Sequence, residues 1–157
     1  MKTQLINAIF SGFNGDWIHI EPKKALTGLT PITAKQKPNN STHSCWELLH
    51  HIVIWQDAII KHINGETIDW NEIEKNDNWP ITELMRDESN FNNLVDRFYS
   101  GIEEAQNLLQ KVDFTRTSSG FPQLSVIKLY LVLLQHVSYH IGQLITIRKC
   151  LGDWPPK

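Results

Sequence analysis

The chain has 157 residues, 41% of them hydrophobic and 20% charged, a composition typical of one globular domain large enough to bury a core. Its net charge is −2 with seven histidines counted as neutral, and its lysines and arginines are scattered along the sequence. Nucleic-acid binding needs a basic stripe that neutralises phosphates, so we do not expect it here.

The sequence also argues against a membrane or secreted protein. No apolar run approaches the ~20 residues that a membrane-spanning helix needs. Gln4 and Asn7 interrupt the N-terminal apolar segment where a signal peptide would have its core. We therefore expect a single domain over residues 1–157, located in the cytoplasm and without membrane contact.

The two cysteines, Cys45 and Cys150, are far apart and form no CxxC motif. One pair does not indicate a disulfide scaffold, so both are expected to stay reduced. Cys45 falls in the first turn of a predicted helix, where the helix dipole lowers a thiol pKa. Its position around the helix axis is within the apolar arc, however, and this predicts a buried, inert thiol rather than a nucleophile.

Apolar residues at helical spacing predict a first helix that ends at the sequence GFNG, namely Leu5, Ile6, Ile9, Phe10 and Phe13. Residues 21–43 are rich in Pro, Thr, Lys and Asn, and such a long connection usually carries short helical turns or shapes a site. The segment ALTGL (25–29) is the candidate for one such turn.

The second long helix has the clearest start. Ser44 followed by Glu47 matches a capping box, and the apolar pattern then runs to a stop at Asn64 and Gly65. Residues 66–80 are polar, and Pro80 predicts another helix start. The third long helix ends near Asp113, and one of its faces is apolar: Phe91, Leu94, Val95, Phe98, Ile102, Ala105 and Leu109.

The linker SSGFPQ (118–123) is rich in turn residues, and a last helix is predicted from about Leu124 to Leu151. Gly152 and Pro155-Pro156 provide its stop. The sequence contains no strand-like alternation and no internal repeat. Four apolar stripes at helical spacing therefore predict an all-α, antiparallel four-helix bundle without a sheet.

Two histidines interrupt the apolar stripe of the last helix. At 100° per residue, His136 and His140 lie about 40° apart around the axis, within the stripe that includes Leu133 and Leu144. Their Cβ atoms are about 5–6 Å apart, so both rings can reach one metal ion through bonds of about 2.1 Å. Each ring left unsatisfied in a core would cost about 1–3 kcal/mol. This pair predicts a metal site whose third ligand comes from another helix.

The second long helix offers His50 and His51 as that ligand. His51 borders the apolar arc, whereas His50 points between Asp57 and Lys61 and is assigned to the solvent face. His62 is too far along the axis to share the ion. The remaining histidines are in polar loops and are interpreted as surface residues, namely His19 and His43.

Three histidines leave a coordination position open for water or substrate, which is typical of catalytic rather than structural sites. Imidazole ligands suit Zn, Ni or Fe, and the sequence does not choose among them.

The sequence resembles the DinB/YfiT-like superfamily of metal-binding four-helix bundles. The resemblance covers nearly the whole chain and rests on GFNGDW (12–17), HSCWELLHHIVIW (43–55) and HVSYHIGQLITIRKCLGDWPP (136–156). The last segment contains the His-x-x-x-His-x-Gly-Gln pattern and a Gly-x-Trp-Pro terminus. The resemblance implies that His51, His136 and His140 bind the metal, with His50 the alternative if the second segment is aligned one residue differently.

The resemblance also implies a function. Characterised members include S-transferases that conjugate bacillithiol or mycothiol to electrophiles and a thiol-dependent maleylpyruvate isomerase, and members are often homodimers. We therefore expect a metal-dependent enzyme that activates a low-molecular-weight thiol, or a related hydrolase or isomerase. The alternative is a non-catalytic bundle that binds a metal or small molecule in a stress response.

Three neighbours of the predicted metal ligands are candidates for contacts with a ligand or for packing. Gln143, one turn beyond His140, either orients a ligand or substrate or is a solvent-facing amide. Tyr139 is interpreted as a packing residue. Trp55 either walls the pocket or packs in the core. The sequence contains no Ser-His-Asp arrangement, P-loop or dinucleotide-binding fingerprint.

Overall fold

Four long helices dominate the computed structural model, which describes residues 2–16, 19–118 and 121–156. Shorter elements lie between them in chain order. The elements are α1 (Lys2–Asn14), α2 (Pro22–Ala25), α3 (Pro31–Ala34), α4 (Cys45–Ile63), α5 (Trp70–Glu72) continued by a π-helical turn (Ile73–Asp77), α6 (Glu88–Leu108), β1 (Thr117–Ser118), β2 (Phe121–Ser125) and α7 (Val126–Cys150).

Helix α4 begins where the capping box predicts. Ser44 Oγ accepts a hydrogen bond from the Glu47 backbone N–H (3.2 Å), and Glu47 Oε2 accepts one from the Ser44 N–H (2.7 Å). The helix ends at Ile63, and Gly65 follows with a φ of +99°, a conformation that glycine adopts without strain. Both predicted boundaries of this helix are confirmed.

Helix α4 is the centre of the bundle and packs on both α6 and α7. Contacts with α6 follow the same order in both helices: Trp46 packs on Phe91, and further along the Gln56 amide donates to the Phe98 carbonyl. The two helices are therefore parallel. Contacts with α7 run in the opposite order, because Cys45 contacts Leu144 near the far end of α7.

Helix α1 packs on α7 and runs in the same direction. Its first residues lie beside residues 111–115, just before the hairpin that leads into α7. Further along, the ring of Phe13 contacts the ring of Tyr130 at 6.4 Å. Two of the four long helices thus run each way, and both α4–α6 and α1–α7 are parallel pairs. The predicted all-α bundle is confirmed.

Because α4 and α6 are parallel, the chain must return along the whole length of α4, about 28 Å for its 19 residues, before α6 begins. Residues 64–87 make this return and are called the crossover below. The predicted helix start at Pro80 is wrong, since Pro80 is not helical. Helix α6 begins only at Glu88, where the Asp87 carboxylate accepts from the Ser89 N–H.

A short antiparallel hairpin precedes α7 and was not expected from the sequence. Strands β1 and β2 pair locally, with Thr117 opposite Ser125, so no period-2 pattern of core residues accompanies them. Part of the predicted linker, residues 119–120, lies outside the described residues. Ser125 caps α7 through the Lys128 N–H, so this helix starts at Val126 rather than near Leu124.

The long connection between α1 and α4 carries two short helices, α2 and α3, with turns at residues 26–28 close to the expected position. In the part of the chain that the structure describes, no helix combines the length and apolar character needed to cross a bilayer.

The C-terminal end of α7 is tied to this connection by a buried arginine that the sequence analysis did not single out. Arg148 has no exposed surface. Its Nη1 donates to the carbonyls of Ala25 (2.7 Å) and Thr27 (2.9 Å), and its Nε donates to the Asp153 carboxylate at 2.9 Å. The guanidinium also lies over the Trp154 ring. One side chain therefore joins three segments.

We expect Arg148→Met to lower the free energy of unfolding by about 3 kcal/mol, because two carbonyls and a carboxylate lose their donor. Urea unfolding of the two proteins measures this change. Lys149→Met, at the exposed neighbouring position, is the control and should have little effect. A loss no larger than that of the control would contradict the structural role of Arg148.

Candidate metal centre

The antiparallel packing of α4 on α7 brings three histidines together. His51 Nε2 lies 3.0 Å from His136 Nε2 and 3.1 Å from His140 Nε2. Each residue offers one ligand atom, and these atoms all lie within 4.8 Å of one another. The structure therefore places the three predicted ligands in one cluster with the geometry that could hold a metal ion.

The crossover determines which nitrogen of His51 carries the proton. Asn78 Oδ1 lies 2.8 Å from Trp55 Nε1 and 2.6 Å from His51 Nδ1. An indole N–H can only donate, so Asn78 presents its oxygen here and His51 Nδ1 must also donate to it. The lone pair of His51 is consequently on Nε2, the atom that faces the other two histidines. The Trp79 ring stacks on His51 at 4.6 Å and covers it.

The Gln143 amide contacts His140 on the side of the ring opposite Nε2. Its Oε1 accepts from His140 Nδ1 at 2.7 Å, and its amide nitrogen donates to the Tyr139 hydroxyl at 3.2 Å. The lone pair of His140 is therefore also on Nε2. His136 differs, since no described residue forms a hydrogen bond with its buried Nδ1.

The resulting cluster has the donor chemistry of a cation site. The bare Nε2 atoms of His51 and His140 face each other at 3.1 Å and cannot form a hydrogen bond without a further proton. Burial lowers the pKa of all three rings, that of His136 to about 3, so protonation there is unfavourable. A divalent metal would satisfy the converging lone pairs, and neutral imidazole is the form in which histidine binds metals.

His50 lies outside the cluster, as predicted. The prediction that its side chain faces solvent is wrong. It is only 9% exposed, and its Nε2 lies 2.9 Å from the Asp77 carbonyl. The crossover contacts His50 on this face of α4, and Arg97 of α6 pairs with Asp57, whereas Lys61 is exposed as expected. His62 is also buried, with its Nδ1 2.9 Å from the Glu66 carbonyl, and it lies apart from the cluster as expected.

The two loop histidines are half-buried rather than surface residues. His19 Nε2 lies 2.8 Å from Ser138 Oγ, which joins the first connection to α7. His43 stacks on Trp79 with 3.8 Å between ring centroids. Both contacts are to segments distant in sequence. The polar residues next to His19 and His43 therefore predicted exposure although the two side chains are half-buried.

The structure shows where the neighbours of the histidine cluster lie, which the sequence left open. Tyr139 is 64% exposed, so the packing interpretation is wrong, and its ring lies 4.9 Å from that of His140. Trp55 walls the site, 6.4 Å from both His51 and His136. The sequence did not predict that Asn78 and Trp79 belong to the site. They reach the histidines only because the crossover folds back along α4.

Both cysteines are free, as predicted. Cys45 is fully buried, its thiol donates to the Leu144 carbonyl, and burial raises its pKa to about 12. A thiol in this state is not a nucleophile at neutral pH. Cys150 is exposed at the end of α7.

The fold and the cluster define a helical bundle with a metal-compatible histidine site between its second and fourth long helices. The family model described as DinB superfamily matches residues 23–144, which include all three histidines. The chain belongs to the DinB superfamily. The Gly-x-Trp-Pro terminus lies beyond the matched region. No curated protein and no solved structure matched the chain significantly.

Asn78 is expected to support metal binding because it orients His51. Asn78→Leu should weaken the affinity for zinc by about 10–100-fold, the usual effect of removing a partner of a metal-binding histidine. Competition with a chromogenic chelator measures this affinity. Asn76→Leu changes an exposed residue of the same crossover and serves as the matched control. Equal affinities of the two variants would refute the role of Asn78.

The lowered histidine pKa values predict a pH-dependent stability of the metal-free protein. The unfolded chain binds protons near pH 6.5, whereas the folded rings bind them only at lower pH. The stabilisation is therefore complete above about pH 6.5 and is lost as the pH falls towards the lowered pKa values, that of His136 being about 3. Urea unfolding with a chelator present tests this, and His136→Gln should flatten the dependence. Stability that rises on acidification would contradict the assignment.

Proposed function

We propose that the protein is a metal-dependent enzyme in which His51, His136 and His140 hold one divalent transition metal, and in which a low-molecular-weight thiol is activated for transfer to an electrophile. The observation that carries the proposal is the convergence of three Nε2 atoms, two of them with their protons held on the opposite nitrogen. The resemblance to characterised thiol-dependent members of the DinB superfamily, to which the chain belongs, supports the thiol chemistry.

The donor set fits a catalytic metal. Three neutral imidazoles leave a coordination position open, and a metal bound there would lower the pKa of a thiol or water. Asn78 and Gln143 hold the rings of His51 and His140 so that the ligand atoms need not reorganise. Trp55 and Trp79 shield His51, which keeps competing water and protons from that side.

The reacting thiol is assigned to a co-substrate rather than to the chain. Cys45 is buried with a raised pKa, and Cys150 lies ten residues beyond His140 on α7. In the proposed reaction the thiolate sulfur attacks an electrophilic carbon, the bond to the leaving group breaks, and the thiol proton passes to solvent. A small-molecule substrate, a homodimeric state and a cytoplasmic location belong to the same proposal.

Metal content of single variants tests the site. His51→Ala, His136→Ala and His140→Ala should each remove most of the bound metal, since two imidazoles do not hold an ion strongly. Elemental analysis of the purified proteins gives the stoichiometry. His50→Gln is the matched control, because its amide can still donate to the Asp77 carbonyl, and it should retain the metal. Full retention in all three alanine variants would end the metal proposal.

Thiol conjugation tests the activity. The metal-loaded protein should accelerate the reaction of a thiol such as cysteine or glutathione with 1-chloro-2,4-dinitrobenzene, and His140→Ala should lose the acceleration. Absorbance of the conjugate measures the rate across a panel of thiols and electrophiles. Metal binding without turnover across the panel would instead support a non-catalytic binding protein.

A further inference from the structure

A cleft of about 460 Å³ lies between α7, the start of α4 and residues 41–43, next to the metal centre. It is called the α7 cleft below. Two of its lining residues contact His140: Gln143 accepts its Nδ1 proton, and the Tyr139 ring lies 4.9 Å from its ring. A third, His43, stacks on Trp79, which in turn stacks on His51. One lining side chain thus separates the cleft from His140, and two, His43 and Trp79, separate it from His51.

Gly142 is exposed and lines the α7 cleft where the cleft is open. It lies inside α7, where glycine is less favourable than alanine for a helix. A Cβ at this position would meet no atom within 4 Å, so close packing within the described chain does not require glycine. By contrast, a Cβ at Gly101 would overlap the Gln56 side chain. The space over Gly142 is cleft volume that a larger side chain would fill.

The lining of the α7 cleft is mixed in polarity. It contains no Asp, Glu, Lys or Arg among its described lining residues. Its floor includes the buried side chains of Leu48 and Ile147, and its walls carry hydroxyl and amide groups. A charged group placed here would lose hydration and would meet no carboxylate, lysine or arginine among the described lining residues, which is unfavourable.

The wall groups present a specific set of hydrogen-bonding atoms. Thr146 Oγ1 donates to the Gly142 carbonyl, and Ser41 Oγ donates to the His43 carbonyl, so these hydroxyls can offer acceptors to a ligand. The Tyr139 hydroxyl accepts from Gln143, which leaves its own proton to donate. A neutral group that both donates and accepts matches this set.

We propose that the α7 cleft binds the organic electrophile through an uncharged, partly apolar moiety that both donates and accepts hydrogen bonds, and that Gly142 determines the size of this moiety. The inference rests on the proposed function, because it places the second reactant beside the metal-activated thiol. Its own evidence, however, is the open space at Gly142 and the absence of Asp, Glu, Lys and Arg from the described lining, neither of which involves a metal.

Binding of three matched aromatic probes tests the class of ligand. Benzamide is neutral and has both donor and acceptor atoms, whereas benzoate and benzylammonium carry opposite charges on similar frames. Benzamide should bind with a dissociation constant about tenfold lower than either ion, and it should shift the NMR signals of the Gly142 and Thr146 amides. Equal binding of the ions, or benzamide shifts confined to another surface, would overturn the proposal.

Substitution of Gly142 tests the location. Gly142→Leu should raise the benzamide dissociation constant by about tenfold, and Gly142→Ala should have a smaller effect. Gln135→Leu, on the exposed face of α7, is the control and should leave binding unchanged. Leucine and alanine favour helices, so circular dichroism should show that both variants fold. Unchanged binding in folded Gly142→Leu would place the probe elsewhere and refute the proposal.

The same samples separate this inference from the proposed function. Elemental analysis should show that Gly142→Leu retains its metal while benzamide binding is lost. Probe binding is measured both with a chelator and with zinc, so failure of the metal site does not hide the cleft. If the parent protein holds metal but does not bind benzamide, the cleft proposal alone is refuted. If it binds benzamide but holds no metal, the metal-site proposal alone is refuted.

Discussion

The site depends on one topological constraint, the parallel arrangement of α4 and α6. Parallel neighbours cannot be joined by a tight turn, so the crossover must run back along α4. On this path Trp70 stacks on Trp55, Asn78 reaches both Trp55 and His51, and Trp79 covers His51. The segment that closes the topology therefore also builds one wall of the histidine cluster.

The protons of the cluster follow from a short chain of donors and acceptors. The Trp55 indole is a donor only, so it determines the orientation of the Asn78 amide, which in turn determines the tautomer of His51. Gln143, which lies on α7, accepts the Nδ1 proton of His140 through its Oε1 atom. Burial then disfavours protonation of the remaining nitrogens. All three imidazoles thus favour the neutral form, and His51 and His140 direct the lone pairs of their Nε2 atoms into the cluster.

Periodicity within single helices was sufficient to predict the bundle and the three clustered histidines. His51 and His140 project from apolar stripes at 100° per residue, and the Ser44 capping box fixes where α4 begins. A helical wheel, however, contains no information about segments that pack on a helix from elsewhere. For this reason His50 was assigned to solvent although the crossover buries it, and Asn78 was not identified.

The hairpin and the buried position of Arg148 were not predicted from the sequence for similar reasons. The hairpin is held by local backbone pairing rather than by an alternating apolar pattern, so it left no signal in the sequence. Arg148 sits in a segment with a charged appearance, and only the approach of the Ala25 and Thr27 carbonyls makes it a buried clamp. Both depend on contacts between residues that periodicity treats as independent.

The crossover has a thermodynamic consequence for any metal bound by the three histidines. Most residues of this segment are exposed, and side chains such as Asn78 and Trp79 hold it to the site. If the closed crossover is the binding-competent state, the measured affinity equals the intrinsic affinity multiplied by the fraction of molecules in which it is closed. Changes anywhere in residues 64–87 that alter this fraction then change metal occupancy without touching a ligand, and metal binding in turn holds the crossover closed.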